Sequence, residues 1–302
     1  MRSWGLTAAP FLRWVVLKVV SSPETEPYDQ SFLRAAEYIS NATALLIVAG
    51  AGMGVDSGLP DFRGDEGFWR AYPVFRDANL RLAEVAEPAM FEQDPALAWG
   101  FYGHRLKLYR ETVPHEGFSI LRRWGDAMAD GWWVSTTNVD GQFQKAGFDT
   151  QYIHEVHGTL HELQCAKPCS DATWSACALR PAIGPDLRWH TTWPVCRRCA
   201  GVARPNVLMF GDAAWIGTAA EAAHWKLVEW LEEVERPAVI EIGAGTAIPT
   251  LRHFGERLVA RRGAKLVRIN PRESQVSPAQ GVGIPLGALD ALRGIDAAIT
   301  GR

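Results

Sequence analysis

The stretch Ala44-Leu-Leu-Ile-Val-Ala-Gly-Ala-Gly52 decides the fold, because a continuous apolar run leads directly into a glycine-rich turn. An apolar run of this length predicts a strand that is buried on both faces, as in a parallel sheet. Glycines after such a strand let the backbone approach a ligand, and the N–H groups at a following helix start attract phosphate. For the glycines alone, a tight turn without a ligand is an equally good interpretation.

Similar apolar runs predict further strands at 132–136, 207–210, 238–242 and 265–269. Periodic stretches predict helices at 31–42, 218–234 and 250–262. Alternation of strands and helices, with glycine-rich turns after strands, is typical of an α/β fold with ligands at the carboxyl ends of the strands. We therefore predict a Rossmann-like open parallel sheet.

Two segments interrupt this alternation. Residues 68–130 are rich in aromatic residues, Ala and Glu and predict a helical insertion, whereas residues 160–205 hold all the cysteines and show little periodicity. The predicted division is a flexible N-terminal extension at 1–30, a sheet domain at 31–67, 131–159 and 206–302, a helical insertion at 68–130 and a small zinc-ribbon domain at 160–205. The apolar stretch 11–20 is too short to span a bilayer, and no small-x-small cleavage site follows it.

Composition limits the class of partner. The chain has 302 residues with 31 Lys+Arg against 34 Asp+Glu, a formal net charge of −3. Without a basic surplus we expect neither nucleic acid nor a membrane as a partner. Apolar residues make up 47%, enough for a sizeable core, and we expect a cytoplasmic protein.

The cysteines are spaced as two short pairs. Cys165 and Cys169 form C-x3-C, and Cys196 and Cys199 form C-x2-C after 26 intervening residues. Two such pairs supply the four tetrahedral ligands of one Zn²⁺, which would be structural because no coordination position stays open. Cys177 is a possible substitute for Cys169, and reduced thiols without metal are the alternative.

The glycine turn does not match the dinucleotide fingerprint of dehydrogenases. With Gly50 and Gly52 as the first two glycines, G-x-G-x-x-G requires glycine where Val55 stands. Further along, Asp61-Phe-Arg63 sets a charged pair and an aromatic face beside the turn, and a guanidinium suits phosphate oxygens. This combination favours a ligand site over a plain turn.

An ordered set of motifs resembles the sirtuin family over roughly residues 31–295. Gly50–Gly64 resembles G-A-G-x-S-x-x-S-G-x-P-D-F-R-G, with Gly54 in place of the first serine. Ser135–Gly141 resembles the T-Q-N-I-D-G segment, with Thr137 in place of glutamine. The remaining matches are 153–158 with the stretch ending in the catalytic histidine, the cysteine pairs, 204–212 with R-P-x-V-V-x-F-G-E, Gly243-Ala-Gly245 with G-T-S, and Ile269-Asn270 with I-N.

The resemblance implies NAD⁺ as the bound dinucleotide and roles for particular residues. His157 would take a proton from the ribose hydroxyl, and Asn138 would join it as a catalytic residue. Phe62 would cover the nicotinamide ribose, and Asp140 would meet the carboxamide. The implied cofactor-binding residues are Gly50, Ala51, Gly52, Asp61, Phe62, Arg63, Thr137, Asn138, Val139, Asp140, Gly243, Ala244, Gly245 and Asn270. For His154 and His161, an ordinary core or surface role is favoured.

The resemblance also implies an acylated-lysine protein or peptide as substrate. Phe210 and Gly211 would pair with it as an added strand. Tyr102 and Arg105 share one helix face at i, i+3 and resemble the pair of the sirtuin subclass that removes succinyl or malonyl groups. A solvated helix face is the plain alternative for this pair.

The predicted function is therefore an NAD⁺-dependent protein-lysine deacylase that produces nicotinamide and O-acyl-ADP-ribose. The differences at Gly54, Thr137 and Ala244 keep two alternatives open. One is an NAD glycohydrolase or ADP-ribosyltransferase, and the other is a non-catalytic module that binds NAD or ADP-ribose. Neither the preferred acyl group nor the oligomeric state is predicted.

Overall fold

A computed structural model of the 302-residue chain describes residues 29–61, 64–247 and 249–301. Residues 1–28 of the predicted N-terminal extension and the candidate residues Phe62 and Arg63 lie outside these described residues, whereas the last two residues of that extension, 29 and 30, belong to the first helix. The strands are β1 Ala44–Ala49, β2 Trp132–Thr136, β3 Ile153–Glu155, β4 Gly158–Cys165, β5 Thr173–Ser175, β6 Ala203–Val207, β7 Pro237–Ile242, β8 Lys265–Ile269 and β9 Gly281–Ile284.

The helices are α1 Asp29–Ser40, α2 Gly64–Ala71, α3 Pro73–Asp77, α4 Leu82–Val85, α5 Met90–Gln93, α6 Pro95–Glu111, α7 Glu116–Asp126, α8 Gln142–Lys145, α9 Thr218–Glu233, α10 Thr250–Arg262 and α11 Ala288–Thr300. Two 3-10 helices span Ala51–Ser57 and Thr150–Tyr152. No helix within the described ranges is long and apolar enough to cross a membrane.

A parallel six-stranded sheet in the order β3-β2-β1-β7-β8-β9 forms the centre of the molecule. Every residue of β1 is buried, as its uninterrupted apolar sequence predicts. The chain places β2 and β3 on one side of β1 and later β7 on the other, so the strand order reverses between β1 and β7. Ligands of open α/β sheets bind at such a reversal, outside the carboxyl ends of the strands. The predicted α/β fold class is confirmed.

The apolar run 207–210 does not form a strand of this sheet, and that prediction was wrong. Strand β6 ends at Val207 and belongs to a separate antiparallel sheet in the order β5-β4-β6. Leu208 and Phe210 are 37% and 45% exposed, so their apolar side chains do not mark a buried strand. Instead, the Leu208 N–H donates to the His157 carbonyl at 2.9 Å and the Phe210 N–H to the Ala86 carbonyl at 3.0 Å.

Apolar clusters divide the molecule into two regions. Helices α1, α7 and α11 pack on one face of the parallel sheet, and α9 and α10 pack on the other. Helices α2–α6 instead share an aromatic-rich cluster with β4, β6 and the segment between the two cysteine pairs. The predicted boundary at residue 130 falls after α7, although the packing of Phe118 and Leu121 groups this helix with the sheet.

Candidate functional site

The glycine turn after β1 lies against the turn after β7 in backbone-to-backbone contact. The Gly50 N–H donates to the Ile242 carbonyl at 2.9 Å, and the Gly52 N–H donates to the Gly243 carbonyl at 3.2 Å. Gly243 has φ +63°, and a Cβ there would lie 2.3 Å from the Gly52 Cα. Only glycine fits at these positions, so the sequence brings two bare backbone segments together where the strand order reverses.

Asn270 holds the turn after β7 in place. Its side chain is fully buried, and its Nδ2 donates to the Ala244 carbonyl at 3.0 Å. Its Oδ1 accepts from the N–H groups of Arg272 and Glu273. Ala244 is only 4% exposed, and its side chain belongs to the apolar cluster under α9 and α10.

The segment after β2 is tied to the same glycine turn. The Asn138 Nδ2 donates to the Gly50 carbonyl at 3.0 Å, and the Thr137 N–H donates to the Ala49 carbonyl at 3.2 Å. The Asn138 N–H in turn donates to the Thr136 Oγ1 at 3.0 Å. The structure therefore brings Thr137 and Asn138 together with Gly50, as a common site requires.

Asp140 is buried and carries a perturbed carboxyl group. Burial raises its pKa to about 6, and the Gln142 N–H and Arg105 partly offset this rise. The Gln142 N–H donates to its Oδ1 at 2.9 Å, while His161 hydrogen-bonds through Nε2 to the Asp140 carbonyl at 3.0 Å. Val139, between Asn138 and Asp140, packs into the aromatic-rich cluster.

His157 lies in the turn between β3 and β4, beside Thr137. Burial lowers the pKa of its imidazole, and a hydrogen bond to the Thr137 backbone partly offsets this fall. The ring is therefore neutral at pH 7 and able to accept a proton. The nearby His154 is buried, hydrogen-bonded through Nδ1 to the Ser135 Oγ at 3.2 Å, and burial lowers its pKa to about 4.

Glu155 is a half-buried carboxyl group at this edge that no sequence motif indicates. Burial raises its pKa to about 7, while the side chains of Gln144 and Thr159 lower it and the charge of Asp140 raises it further. Its position between two histidines in a short edge strand is the only signal in the sequence.

The Arg105 guanidinium lies over the Tyr102 ring, 5.9 Å from its centroid, but its hydrogen bonds to a tyrosine hydroxyl go to Tyr109. Tyr102 is 1% exposed and stacks on the Phe91 ring at a centroid distance of 5.6 Å. Arg105 donates from Nε and Nη2 to the Tyr109 hydroxyl at 2.9 and 2.7 Å. Its guanidinium also lowers the pKa of Asp140, so it lies on the side of the helical region that faces the candidate site.

The loop that carries Phe210 and Gly211 is closed by a buried ion pair. Arg204 Nη1 lies 2.8 Å from Asp212 Oδ2, and both side chains are fully buried. Gly211 adopts φ +63°, and the Phe210 side chain is left 45% exposed. This loop lies next to His157, because the Leu208 N–H donates to the His157 carbonyl.

The four paired cysteines form a compact cluster. Their Sγ atoms all lie within 4.8 Å of one another, with Cys165–Cys199 at 3.7 Å and Cys169–Cys196 at 3.6 Å. Four thiolates about 2.3 Å from a tetrahedral zinc are separated by about 3.8 Å, so the geometry fits one Zn²⁺. The N–H groups of Cys199 and Arg198 also lower the pKa of the Cys196 thiol to about 6. Exposed Cys177 stays outside the cluster, so Cys169 supplies the fourth sulfur of this group.

Two candidate cofactor residues contribute less to this geometry. Ala51 is exposed at the start of the 3-10 helix after β1, and Asp61 is half-buried immediately before the residues outside the description. Gly54 is buried, and a Cβ there would lie 3.0 Å from the Leu59 Cδ1, so the serine of the sirtuin motif would not fit without a shift of Leu59.

Comparison with known proteins agrees with this site. The Sir2 family matches residues 50–244. An NAD-dependent protein deacylase of Aquifex aeolicus is 27% identical over 77% of this chain and 85% of the relative. NAD-dependent protein deacylase 2 of Pyrobaculum aerophilum is 28% identical over 82% and 87%.

Solved structures show the same fold. A Sir2 enzyme structure covers 90% of this chain and 98% of its own, with a TM-score of 0.68 and 22% identity. A Sir2 homologue in complex with NAD covers 88% and 93%, with a TM-score of 0.66 and 21% identity. Because the family match spans more than half of the sequence and includes the glycine turn, Asn138, His157 and the cysteine cluster, this chain belongs to the Sir2 family.

Proposed function

We propose that this protein is an NAD⁺-dependent protein-lysine deacylase. The observation that carries the proposal is that Asn138 binds the Gly50 turn, where the strand order reverses, and that His157 binds the backbone of the neighbouring Thr137. A dinucleotide would bind across this reversal, with its diphosphate against the bare glycine backbone. The relatives named NAD-dependent protein deacylase support the same reaction.

In this reaction the acyl-lysine oxygen attacks the nicotinamide ribose carbon, and nicotinamide leaves. His157 is neutral at pH 7 and would accept the proton of the ribose hydroxyl that takes over the acyl group. One water molecule is consumed as the amide C–N bond of the acyl-lysine breaks, and the products are nicotinamide, O-acyl-ADP-ribose and the free lysine. Asn138 would orient the glycine turn through its hydrogen bond to Gly50, and Asp140 would meet the nicotinamide carboxamide.

The zinc would act on structure alone. Four cysteines complete its tetrahedral shell, so it would hold β4 and β6 together rather than bind substrate. We also propose a cytoplasmic location, since a reducing compartment keeps such thiolates available to metal.

His157→Ala tests the proposed base. We expect deacylation of an acetyl-lysine peptide to fall at least about 100-fold, because general-base catalysis contributes that much, while NAD⁺ binding is retained. Calorimetry and mass spectrometry of the peptide measure the two effects, with the exposed His253→Ala as the matched control. Unchanged turnover in His157→Ala would remove this residue from the mechanism.

The rate should also fall in acid. Protonation removes the acceptor on His157, and burial lowers the pKa of this imidazole below its ordinary value of 6.5. The wild-type rate is therefore expected to be full at pH 7.5 and to decline only below about pH 6.5. A pH profile whose acid limb has its midpoint above 6.5 would contradict this assignment.

Nicotinamide release without any peptide would instead indicate an NAD glycohydrolase.

For the acyl group, we propose a preference for acidic chains, succinyl or malonyl, carried by Arg105. Its guanidinium lies on the side of Asp140, although its hydroxyl partner is Tyr109 rather than Tyr102. Arg105→Met should abolish a succinyl preference and leave acetyl turnover within about threefold, since only the acidic group needs the charge. The control is Lys107→Met on the exposed face of the same helix. A succinyl preference that survives Arg105→Met would contradict the proposal.

A further inference from the structure

We propose that Arg252, in the first turn of α10, is a positioning residue that sets the orientation of the Ala244–Gly245 peptide for the bound dinucleotide. The inference rests on the proposed function, because it concerns how the same crevice holds the diphosphate. The motif Gly243-Ala244-Gly245 lies five residues before α10, yet no feature of the motif points to this arginine.

Arg252 is buried and connects two turns of the site. It is 7% exposed, and both Nε and Nη2 donate to the Ala244 carbonyl, at 3.2 and 3.1 Å. The same Nη2 donates to the Glu273 carbonyl at 2.5 Å. One guanidinium thus ties the turn after β7 to the segment after β8, and the fixed fork of its donors sets the relative position of both.

These contacts determine where the next N–H points. Asn270 adds a third donor to the Ala244 carbonyl, so this oxygen is directed into the protein. The peptide bond is trans, which directs the Gly245 N–H to the opposite side. Among the described residues, that N–H makes no hydrogen bond. It is therefore available to an oxygen of a ligand.

The surrounding charges allow Arg252 to be buried. Its Nε lies 3.8 Å from Glu241 Oε1, and its Nη2 lies 3.7 Å from Glu273 Oε2. Glu241 does not depend on Arg252, since Arg268 binds both of its carboxylate oxygens at 2.7 and 2.9 Å. Removal of Arg252 should therefore leave no uncompensated buried charge, and the fold should survive the substitution.

Because its charge is matched by these carboxylates, Arg252 acts on the ligand through geometry rather than attraction. A lysine at this position would keep the charge but lose the fork that holds the Ala244 carbonyl and the Glu273 carbonyl together. A role in attraction alone predicts that lysine replaces arginine, whereas a role in orientation predicts that it does not.

The test is calorimetry of NAD⁺ and of ADP-ribose with the zinc-loaded full chain. In Arg252→Met we expect the dissociation constants of NAD⁺ and of ADP-ribose to rise by a similar factor, about tenfold. This factor corresponds to the loss of one hydrogen bond to a charged ligand. The KM for the acyl peptide should stay within about twofold of the wild-type value. The residues proposed to pair with the peptide, Phe210 and Gly211, lie in the loop after β6 and not at the turn that Arg252 holds. The matched control is Arg257→Met, an exposed arginine of the same helix, which should change neither constant.

Arg252→Lys completes the test and also serves if Arg252→Met does not fold. Weakened binding of both ligands in Arg252→Lys supports the orientation role. Wild-type affinity in Arg252→Lys, or in a folded Arg252→Met, overturns it, as does an equal loss in Arg257→Met. If the wild-type chain itself binds neither ligand, it is the proposed function that fails.

Discussion

The parallel sheet and the cysteine region reach their structures by different means. Residues of β1 are completely buried, and the turns after β1 and β7 fit together atom against atom, so the chain alone determines this site. The cysteine region has short strands, and long stretches between Ser175 and Ala203 lack regular structure. Its four paired sulfur atoms are grouped as around one metal ion, so we expect the order of this region to depend on that ion. We therefore expect the edge of the sheet to be destabilised by an added side-chain atom at the glycine turns, and the cysteine region to be destabilised by the loss of one sulfur.

The largest effect is expected from an added methyl group at the sheet edge. In Gly243→Ala the new Cβ would lie 2.3 Å from the Gly52 Cα, at a φ of +63° that side chains rarely adopt. Overpacking and the left-handed backbone together should cost about 4 kcal/mol, enough to unfold much of the protein. Urea unfolding measures this loss of free energy.

Gly245→Ala is the matched control for that substitution. The nearest atom to its new Cβ is the Glu273 Oε2 at 3.9 Å, an ordinary contact. The free energy of unfolding should therefore change by less than about 1 kcal/mol. Equal losses in the two variants would refute the claim that close approach of the turns requires Gly243.

Next comes the removal of one zinc ligand. Cys196→Ser should reduce bound zinc from one per chain to a trace, measured by mass spectrometry of the metal, since three thiolates bind it far less well. Limited proteolysis should then cut between 166 and 202 while the parallel sheet survives. Deacylation should fall about tenfold or more, because β6 leads directly into the loop of Phe210 and Gly211.

Cys177→Ser is the control that distinguishes the loss of a zinc ligand from the loss of a cysteine outside the cluster. Cys177 is exposed and outside the cluster, so zinc content and activity should equal those of the wild type. Loss of zinc in this variant would mean that Cys177, and not Cys169, completes the shell.

The elements that the sequence predicted best are those in which local pattern and tertiary environment agree. Strand β1 and the glycine turn are one continuous signal, and burial on both faces needs nothing else. Strand β9, Gly281–Ile284, escaped prediction because two of its residues are glycines and its pairing with β8 supplies the order. The run 207–210 was wrongly predicted as a strand of the parallel sheet, because its local apolar pattern does not agree with its tertiary environment. Its apolar residues lie in a loop that the ion pair of Arg204 and Asp212 holds in place.

Agreement between motif and tertiary position also matters for the candidate site residues. The motifs singled out Asn138, His157 and Gly243, and each of these residues follows a strand at the carboxyl edge of the sheet. Spacing could not decide the hydrogen-bond partner of Arg105, since Tyr102 and Tyr109 both share its helix face and both are buried. Only tertiary packing stacks Tyr102 on Phe91 and directs the Tyr109 hydroxyl to the guanidinium. Arg252 could not be predicted either, because an arginine in a first helical turn is ordinarily solvated.

The smallest effect concerns the strand that joins the two regions. Glu155 ends β3, just before the chain leaves the sheet for β4, and its pKa is raised to about 7 from an ordinary value of 4.5. Between these values the folded state holds a proton that the unfolded state has released. The contribution of Glu155 to stability is therefore favourable below about pH 4.5 and is lost as the pH rises through 7. His154, whose pKa is lowered to about 4, acts in the opposite sense, since stability falls as the pH drops below 6.5.

Glu155→Gln should remove the loss of stability between pH 4.5 and 7 and leave the pH dependence that comes from His154. At pH 8 the variant should be more stable than the wild type by about 2 kcal/mol, because it no longer needs to bury a charge beside Asp140, and the two proteins should converge near pH 4.5. Urea unfolding at pH 5, 6.5 and 8 measures the difference, and Glu232→Gln, on the exposed face of α9, is the control. If Glu155→Gln is no more stable at pH 8, the carboxyl is solvated there, and the edge of the sheet is open to water where it meets the cysteine region.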